Sequence, residues 1–492
     1  MLLEQLLKGV ALSRCALPRD LRISSVSYDT RTIEPGALFV ALSGYKTDGH
    51  RYIWEALDKG AAAVLCQSPP EEDGPWLVCP DTRAALAVVS ANWFGHPGRK
   101  LKLIAVTGTN GKTTTTYLMK EVLERCAGAK VGLIGTNRNM IGGESLPAQR
   151  TTPESYDLQQ LLQQMKDARC THVVMEVSSH ALMLHRVDGL RFAAGIFTNL
   201  TADHLDFHGT MEAYRDAKGR LFDRTDLAVL NLDDAAGRYF AGTVSCPKIT
   251  YSENKNEADL TAKNIRLFPE RVEFEAVTLG EVRRVRLPIP GGFSIYNALG
   301  VLACTVGLGM PLECTAAALV HVRGVKGRVE VVPVPALFTV LIDYAHTPDA
   351  LENILTTVRP LAVNRVICLF GCGGDRDRSK RPIMGAIAAD LADLVVVTSD
   401  NPRTEPPEEI IGDILKGMDG AVNYAVEPDR RAAIRYALSQ GRPGDVILLA
   451  GKGHETYQEI HGVQYHLDER EEIQDFFQRN TAQIGTSNVQ YW

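Results

Sequence analysis

The sequence predicts an α/β fold in three domains, the two larger ones built on parallel sheets. Two observations carry that prediction. From residue 101 onward, near-continuous apolar runs alternate with amphipathic helical stretches, the pattern of strands covered on both faces. The chain has 492 residues, 45% of them hydrophobic and 23% charged. At roughly 150 residues per domain, that length and ordinary globular composition fit about three cores.

The elements follow in order. MLLEQLLKGVALSRCALP reads as an amphipathic helix and not an export signal, because Glu4, Lys8 and Arg14 interrupt its apolar run. Strands are expected at 37–42 and 62–66, with a helix over 53–61 between them. Pro97 and Gly98 in FGHPGRK break the preceding helix, which closes a small N-terminal α/β domain, 1–97. The central domain, 98–331, has strands at 102–108, 130–136, 172–179, 192–200 and 227–233, a helix over 157–168, and antiparallel strands within 260–290. Strands at 338–346, 365–371, 393–400 and 445–451 again alternate with helices, making 332–492 a second doubly wound, Rossmann-like domain.

Charge and cysteine usage exclude several classes. Fifty-three basic against 59 acidic residues give a net charge of −6, with no dense basic run, which argues against a nucleic-acid or membrane-surface binder. No segment approaches the ~20 apolar residues that span a bilayer, so no membrane insertion is expected. The 10 cysteines form no CxxC pair and no zinc-type cluster. They read as scattered reduced thiols without disulfides, which favours a cytoplasmic protein.

TGTNGKTTTT, residues 107–116, follows an apolar strand and opens a helix, the context of a phosphate-binding loop. Gly108 and Gly111 let the backbone approach phosphate oxygens, and the N–H groups through Thr109, Asn110 and Thr114 form an anion cradle. Lys112 suits β- and γ-phosphate charge, and the Thr113 hydroxyl suits Mg²⁺. The central domain is therefore P-loop ATPase-like, although GxxGKT is two residues shorter than the common loop. The bland alternative is a glycine turn that merely starts a helix. It leaves the lysine and the hydroxyl run unexplained. Glu176 ends an apolar strand at the same sheet edge, a sensible place for a hard-metal oxygen ligand. His204 and His208 stand four apart beside Asp203 and Asp206; that spacing admits zinc on one helical face or a purely structural pair. Lys218, by itself, reads as a solvated lysine.

With TTPES (151–155), MEVSSHAL (175–182), NLTADHLDFHG (199–209), DYAHTPD (343–349), GCGGDRDRSKRPIMG (371–385), DNPRTE (400–405) and GKGHE (451–455), the loop completes an ordered set along nearly the whole chain. The sequence resembles the Mur ligases, ATP-dependent amide-forming enzymes, and more distantly the related folylpolyglutamate synthases. The resemblance implies a ligase of peptidoglycan precursor synthesis that adds meso-diaminopimelate to UDP-MurNAc-L-Ala-D-Glu through an acyl phosphate, acting as a monomer. It implies ATP contacts from the loop and from Asn297, Arg328 and Asp343, with Arg328 meeting phosphate only after domain closure. Mg²⁺ would be held by Thr113, Glu176, His204 and a carbamylated Lys218, so that Lys112, Lys218 and His204 are catalytic. The N-terminal domain becomes the nucleotide-sugar domain, whose ligand meets Tyr28, Thr30, Thr151, Thr152, Ser178 and Arg186. Leu184 departs from the polar residue that some members place there. The amino acid would be held by Arg376, Asp400, Asn401, Pro402, Arg403, Gly451 and Glu455, with Arg403 on the distal carboxylate and Asp400 and Asn401 on the ammonium and polar groups of that centre. Competing expectations are an L-lysine-adding ligase, a folate polyglutamating enzyme, which DNPR and the long N-terminal domain disfavour, and a nucleotide-binding switch. A switch leaves Glu176, His204 and the basic GDRDRSKR run without a purpose.

Overall fold

The computed structural model describes residues 1–15, 17–44, 47–322 and 324–485. They fall into two compact units, Met1–Leu260 with Gly300–Thr315, and Thr261–Leu299 with Ala316 onward.

The first unit holds two sheets. The smaller runs in the order Arg14–Cys15, Trp76–Val78, Ala63–Cys66, Leu38–Val40, Val26–Ser27, parallel except for the first pair. Its strands bury apolar residues on both faces, one packed under the helix Thr82–Trp93 and the other around Trp76. Asp81 starts that helix by accepting from the N–H groups of Arg83 and Ala84, a good N-cap. The expected N-terminal helix is only Leu3–Leu6. The chain then turns away so that Arg14–Cys15 pairs with the edge strand Trp76–Val78, and sheet pairing overrides helical periodicity there.

The larger sheet of this unit places Lys102–Thr107 at its centre, between Ala194–Phe197 and His172–Glu176. Ala228–Asn231 and Lys248–Ser252 extend one side, Val131–Ile134 the other, all parallel. A short antiparallel hairpin, Asn139–Ile141 with Glu144–Leu146, completes the edge. Chain order reverses at the central strand, the switch point where α/β sheets bind ligands. The phosphate loop leaves that strand and enters the helix Lys112–Ala127.

Cys126, at the end of that helix, and Cys314, in the helix Leu312–Leu319, form a disulfide that joins positions 188 residues apart. This overturns the expectation of thiols only. Their Cα atoms are 5.8 Å apart, inside disulfide range, a proximity that only the tertiary fold creates. The other cysteines described are free, most of them buried.

The second unit opens with three adjacent strands, Leu260–Phe268, Arg271–Thr278 and Glu281–Leu287, the last two antiparallel. Its main sheet runs Glu330–Val332, Thr339–Asp343, Val446–Ala450, Val366–Phe370, Leu394–Val397, Tyr424–Val426, parallel except for the first pair. Apolar clusters cover both faces, as a doubly wound sheet requires. A separate hairpin, Tyr457–Ile460 with Val463–His466, follows the last parallel strand.

Candidate active site

In the first unit, Gly108 has φ +146°, and a Cβ there would collide with Thr198 Oγ1. Glycine is required because the loop backbone lies against the end of the neighbouring strand. Lys112 Nζ donates to the carbonyls of Gly108 (2.9 Å) and Thr109 (2.8 Å). Lys218 Nζ reaches the same Gly108 carbonyl at 2.7 Å. Lys218 is therefore no solvated lysine. It is 1% exposed, packs 4.4 Å from the Tyr214 ring centroid, and forms no ion pair among the described residues. Burial, then the charge of Lys112, holds its pKa well below the usual lysine value, with Asp203 opposing. Tyr214 links Lys218 to the loop: its hydroxyl lies 3.3 Å from Thr109 Oγ1.

Glu176 is 1% exposed and ends the strand paired with Lys102–Thr107. Its Oε1 accepts from Thr136 N–H at 2.9 Å and its Oε2 from Thr136 Oγ1 at 3.0 Å, which steers the carboxylate along the sheet edge. Thr136 Oγ1 in turn meets Thr151 Oγ1 at 3.0 Å, and Thr152 Oγ1 donates to the Glu176 carbonyl at 2.9 Å. Ser178 Oγ caps the helix Ser179–Met183. TTPES and MEVSS thus lock together beside the loop.

His204 and His208 do not share a helical face. His204 has φ +52° and precedes the four-residue helix Leu205–His208, so the zinc geometry that spacing alone permitted does not form. Instead both rings pack against His180, at 4.8 and 5.6 Å between centroids. Burial first, then His204 and His208, lower the His180 pKa to about 4. His180 carried no sequence signal beyond its place in the SSHAL run.

Of the residues expected to meet the nucleotide sugar, Tyr28, Thr152 and Arg186 lie at a clasp between the two sheets of this unit. Glu154 is 3% exposed, and its Oε2 faces Arg83 at 3.1 Å, Arg150 at 3.4 Å and Arg186 at 3.4 Å. Arg186 also donates to the Thr152 carbonyl, and Arg83 to the Ser43 carbonyl. Tyr28 donates to Asp157 Oδ2 at 2.5 Å, and that bond together with burial raises the phenol's pKa. Thr30 begins a 3-10 turn capped by Asp29. Glu154 and Arg83 escaped sequence reading because each is an ordinary surface residue until the other covers it.

In the second unit, Asp343 ends its strand and accepts from the N–H groups of Val329 (2.8 Å) and Ala345 (2.9 Å). Burial raises its pKa against the pull of Arg328. The Arg328 guanidinium lies over the Tyr344 ring, and Asn297 is buried on the helix Phe293–Gly307. Arg376 is exposed on the loop after Val366–Phe370.

DNPR leaves the carboxyl end of Leu394–Val397 as expected. Gly451, φ +110°, is the second place where only glycine serves: a Cβ would sit 2.7 Å from Asp400 Oδ2. Buried Arg430 pins both strand ends, donating to the carbonyls of Ser399 (3.1 Å) and Ala450 (2.9 Å) and pairing with Glu469 at 2.7 Å. Arg403 donates through Nε to Glu459 (3.1 Å) and through Nη1 to the Gly374 carbonyl (2.8 Å). Asn401 Oδ1 accepts from Lys452 Nζ and from Glu459 N–H, while its Nδ2 donates to Glu455 Oε2. Both lone pairs of Asn401 Oδ1 are thus engaged within the loop, and one N–H of Nδ2 is left over. Lys452 and Glu459 were missed because they acquire meaning only when the hairpin folds over the loop.

A phosphate loop at a sheet's switch point, with a second lysine brought onto its first carbonyl, defines an α/β enzyme that takes a nucleotide triphosphate. Residues 22–93, 106–305 and 327–453 match, in turn, the Mur ligase catalytic domain, the Mur ligase middle domain and the Mur ligase glutamate ligase domain. The chain belongs to the Mur ligase family. It is 46% identical over 460 residues to the UDP-N-acetylmuramoyl-L-alanyl-D-glutamate--2,6-diaminopimelate ligase of Clostridium botulinum, covering 92% of this chain and 95% of that one. The enzyme of the same description from Geobacillus thermodenitrificans is 44% identical over 458 residues, covering 91% and 93%. A solved structure of a ligase of that description superposes with TM-score 0.71 at 32% identity, covering 98% of this chain and 99% of the other. The MurF ligase of Thermotoga maritima in complex with ADP shares the fold, with TM-score 0.63 at 18% identity over 95% and 100% of the two chains.

Proposed function

We propose that this chain is an ATP-dependent acid–amino-acid ligase that joins meso-diaminopimelate to UDP-N-acetylmuramoyl-L-alanyl-D-glutamate in the synthesis of a peptidoglycan precursor. The observation that carries the reading is the DNPR loop, fixed at the sheet's carboxyl edge with Arg403 braced by Glu459 and Gly374. A braced guanidinium matches a planar carboxylate bidentately, which a lysine does not.

The γ-phosphoryl group of ATP passes to the acceptor's free carboxylate, and ADP leaves. The amine of the amino acid then attacks the acyl carbon, the amide forms, and phosphate departs with one former carboxylate oxygen while the amine loses a proton. Lys112 and the loop from Gly108 to Thr114 hold the transferring phosphoryl by electrostatics, with the N–H groups of Thr109 and Asn110 tied to Asn199 to set the loop's shape. Asn297, Arg328 and Asp343 supply the remaining nucleotide contacts. Tyr28, Thr30, Thr151, Thr152, Ser178 and Arg186 hold the nucleotide sugar, hydroxyls and a guanidinium suiting diphosphate and carboxylate. Arg376, Asp400, Asn401, Pro402, Arg403, Gly451 and Glu455 hold the amino acid.

The buried carboxylate of Glu176 and the Thr113 hydroxyl are hard oxygen donors, which fits Mg²⁺, a cation usually bound through one or two carboxylates plus phosphate oxygens. His204 and Lys218, as a carbamate, complete the proposed set. Mg²⁺ bound there would neutralise phosphate charge. The depressed pKa of Lys218 favours the neutral amine, which is the form that adds carbon dioxide. No helix among the described residues is long and apolar enough to cross a membrane, and we place the reaction in the cytoplasm, carried out by a monomer.

The test is a ligation assay with ATP and the nucleotide sugar, comparing meso-diaminopimelate with L-lysine. Phosphate release that needs both the sugar and diaminopimelate is expected. A preference for L-lysine, or release without either substrate, would sink the reading.

A further inference from the structure

Asn401 is 4% exposed, and its side-chain amide is oriented by neighbours that leave no choice. Oδ1 accepts from Lys452 Nζ at 3.0 Å and from Glu459 N–H at 2.9 Å. Nδ2 donates to Glu455 Oε2 at 2.9 Å. An ammonium and a backbone amide only donate, and an ionised carboxylate only accepts, so the flipped amide would lose all three bonds. Both lone pairs of Oδ1 are used, and what Asn401 has left is one N–H of Nδ2.

Lys452 is 0% exposed, and its ammonium is held by Asn401 and by Glu455 at 3.2 Å. Its charge is therefore directed at groups of the loop and its neighbourhood, and the amide of Asn401 is the one whose orientation it fixes. On the same loop, Arg403 has Nε and Nη1 engaged, and its Nη2 has no partner among the described residues. The donors left over on the loop are N–H groups of Asn401 and Arg403. A second carboxylate at the distal centre satisfies such donors, and an ammonium alone there does not.

We infer that Lys452 is a specificity-determining residue, which locks Asn401 as a pure donor and thereby selects an amino acid whose distal centre carries a carboxylate beside its ammonium over one whose distal centre carries an ammonium alone. The inference rests on the diaminopimelate reading and adds a residue to it. Lys452 is a positioning residue: it orders the amide, and the amide meets the ligand.

The experiment measures kcat/KM of the full chain for meso-diaminopimelate and for L-lysine in wild type, Lys452→Met and Lys452→Gln, with thermal melting as the check on folding. Removing one charge-assisted hydrogen bond should lower the diaminopimelate-to-lysine ratio about 10- to 100-fold in Lys452→Met. Lys452→Gln, whose amide still donates to Oδ1, should keep most of the ratio. Should Lys452→Met fail to fold, Lys452→Leu carries the test, because it likewise removes the donor to Oδ1 while keeping an apolar side chain, and should lower the ratio as much. Equal losses with both amino acids and an unchanged ratio are what a merely structural role gives, and they overturn the inference. A wild type that prefers L-lysine overturns the substrate reading itself. A diaminopimelate-preferring wild type with unchanged ratios in the variants removes only Lys452.

Discussion

The phosphate loop and the DNPR loop both leave the carboxyl edge of a parallel sheet, yet they treat charge in opposite ways. At the phosphate loop, Lys112 and Lys218 converge on one carbonyl, and burial plus mutual repulsion depresses the pKa of Lys218. At the DNPR loop each cation has its anion: Lys452 has Glu455, Arg403 has Glu459, and Arg430 has Glu469. Two converging cations, one of them without an ion pair, make a centre that an anionic ligand or modification relieves. A neutralised network makes no such demand and discriminates by the direction of the few donors left over.

The largest effect should come from the under-compensated centre. Lys218→Ala should lower ligation at least about 10³-fold while the protein stays folded and binds ATP, since several electrostatic contacts to the reacting groups go together. Acetate should restore part of the activity if a carbamate is what was lost. Ligation at the normal rate would show that Lys218 serves only as packing, and the contrast between the two loops would collapse.

Arg403→Ala comes next. The proposed charge pair between Arg403 and the ligand's distal carboxylate is lost, and removing one partner of a buried pair costs ~3–5 kcal/mol, so kcat/KM for diaminopimelate should fall about 10²- to 10³-fold. Nucleotide and nucleotide-sugar affinities, measured by calorimetry, should stay unchanged. A fall in ATP affinity of similar size would mean that the two loops are not electrostatically separate.

A smaller effect is expected at the clasp. Glu154→Ala leaves three guanidiniums facing one another and should destabilise the first unit by about 3 kcal/mol, seen as a lower thermal midpoint. Arg83→Ala in the same background should then cost little, because the partner is already gone.

The smallest is a pH effect in the second unit. Arg381, by a side-chain hydrogen bond, lowers the Glu405 carboxyl to about 2. Because the folded value lies below the unfolded one, this stability is fully present above the ordinary carboxylate pKa near 4.5 and is lost as pH falls through about 2. Thermal melts between those values should steepen with acid in the wild type and flatten in Arg381→Met. An unchanged acid limb would show that the pair contributes nothing.

The sheet strands, the loop helix and the order of the motifs were readable because each is a local pattern: apolar runs, a glycine turn with a lysine, Asn-Pro after a strand. The truncated first helix was not, since a pairing partner far along the chain decides it, and the hairpin Asn139–Leu146 was not, since its short strands carry no apolar alternation. Lys218, Glu154 and Lys452 carry no local mark of burial, and sequence alone assigned the first an exposed role. The Cys126–Cys314 pairing likewise depends on two helix ends meeting.

Arg83 has a consequence for treating this chain as a set of interchangeable parts. One guanidinium spans the loop carbonyl of Ser43 and the carboxylate of Glu154, so the border expected from the sequence at residue 97 is not a border in charge. A chimera that imports a foreign first domain would inherit Glu154, Arg150 and Arg186 without their counterpart, and Asp157 without Tyr28. The transplantable block is therefore discontinuous, the first domain together with 150–157. Recombination between relatives should tolerate crossovers at residue 97 only when both parents carry the same residues at 28, 83, 154 and 157.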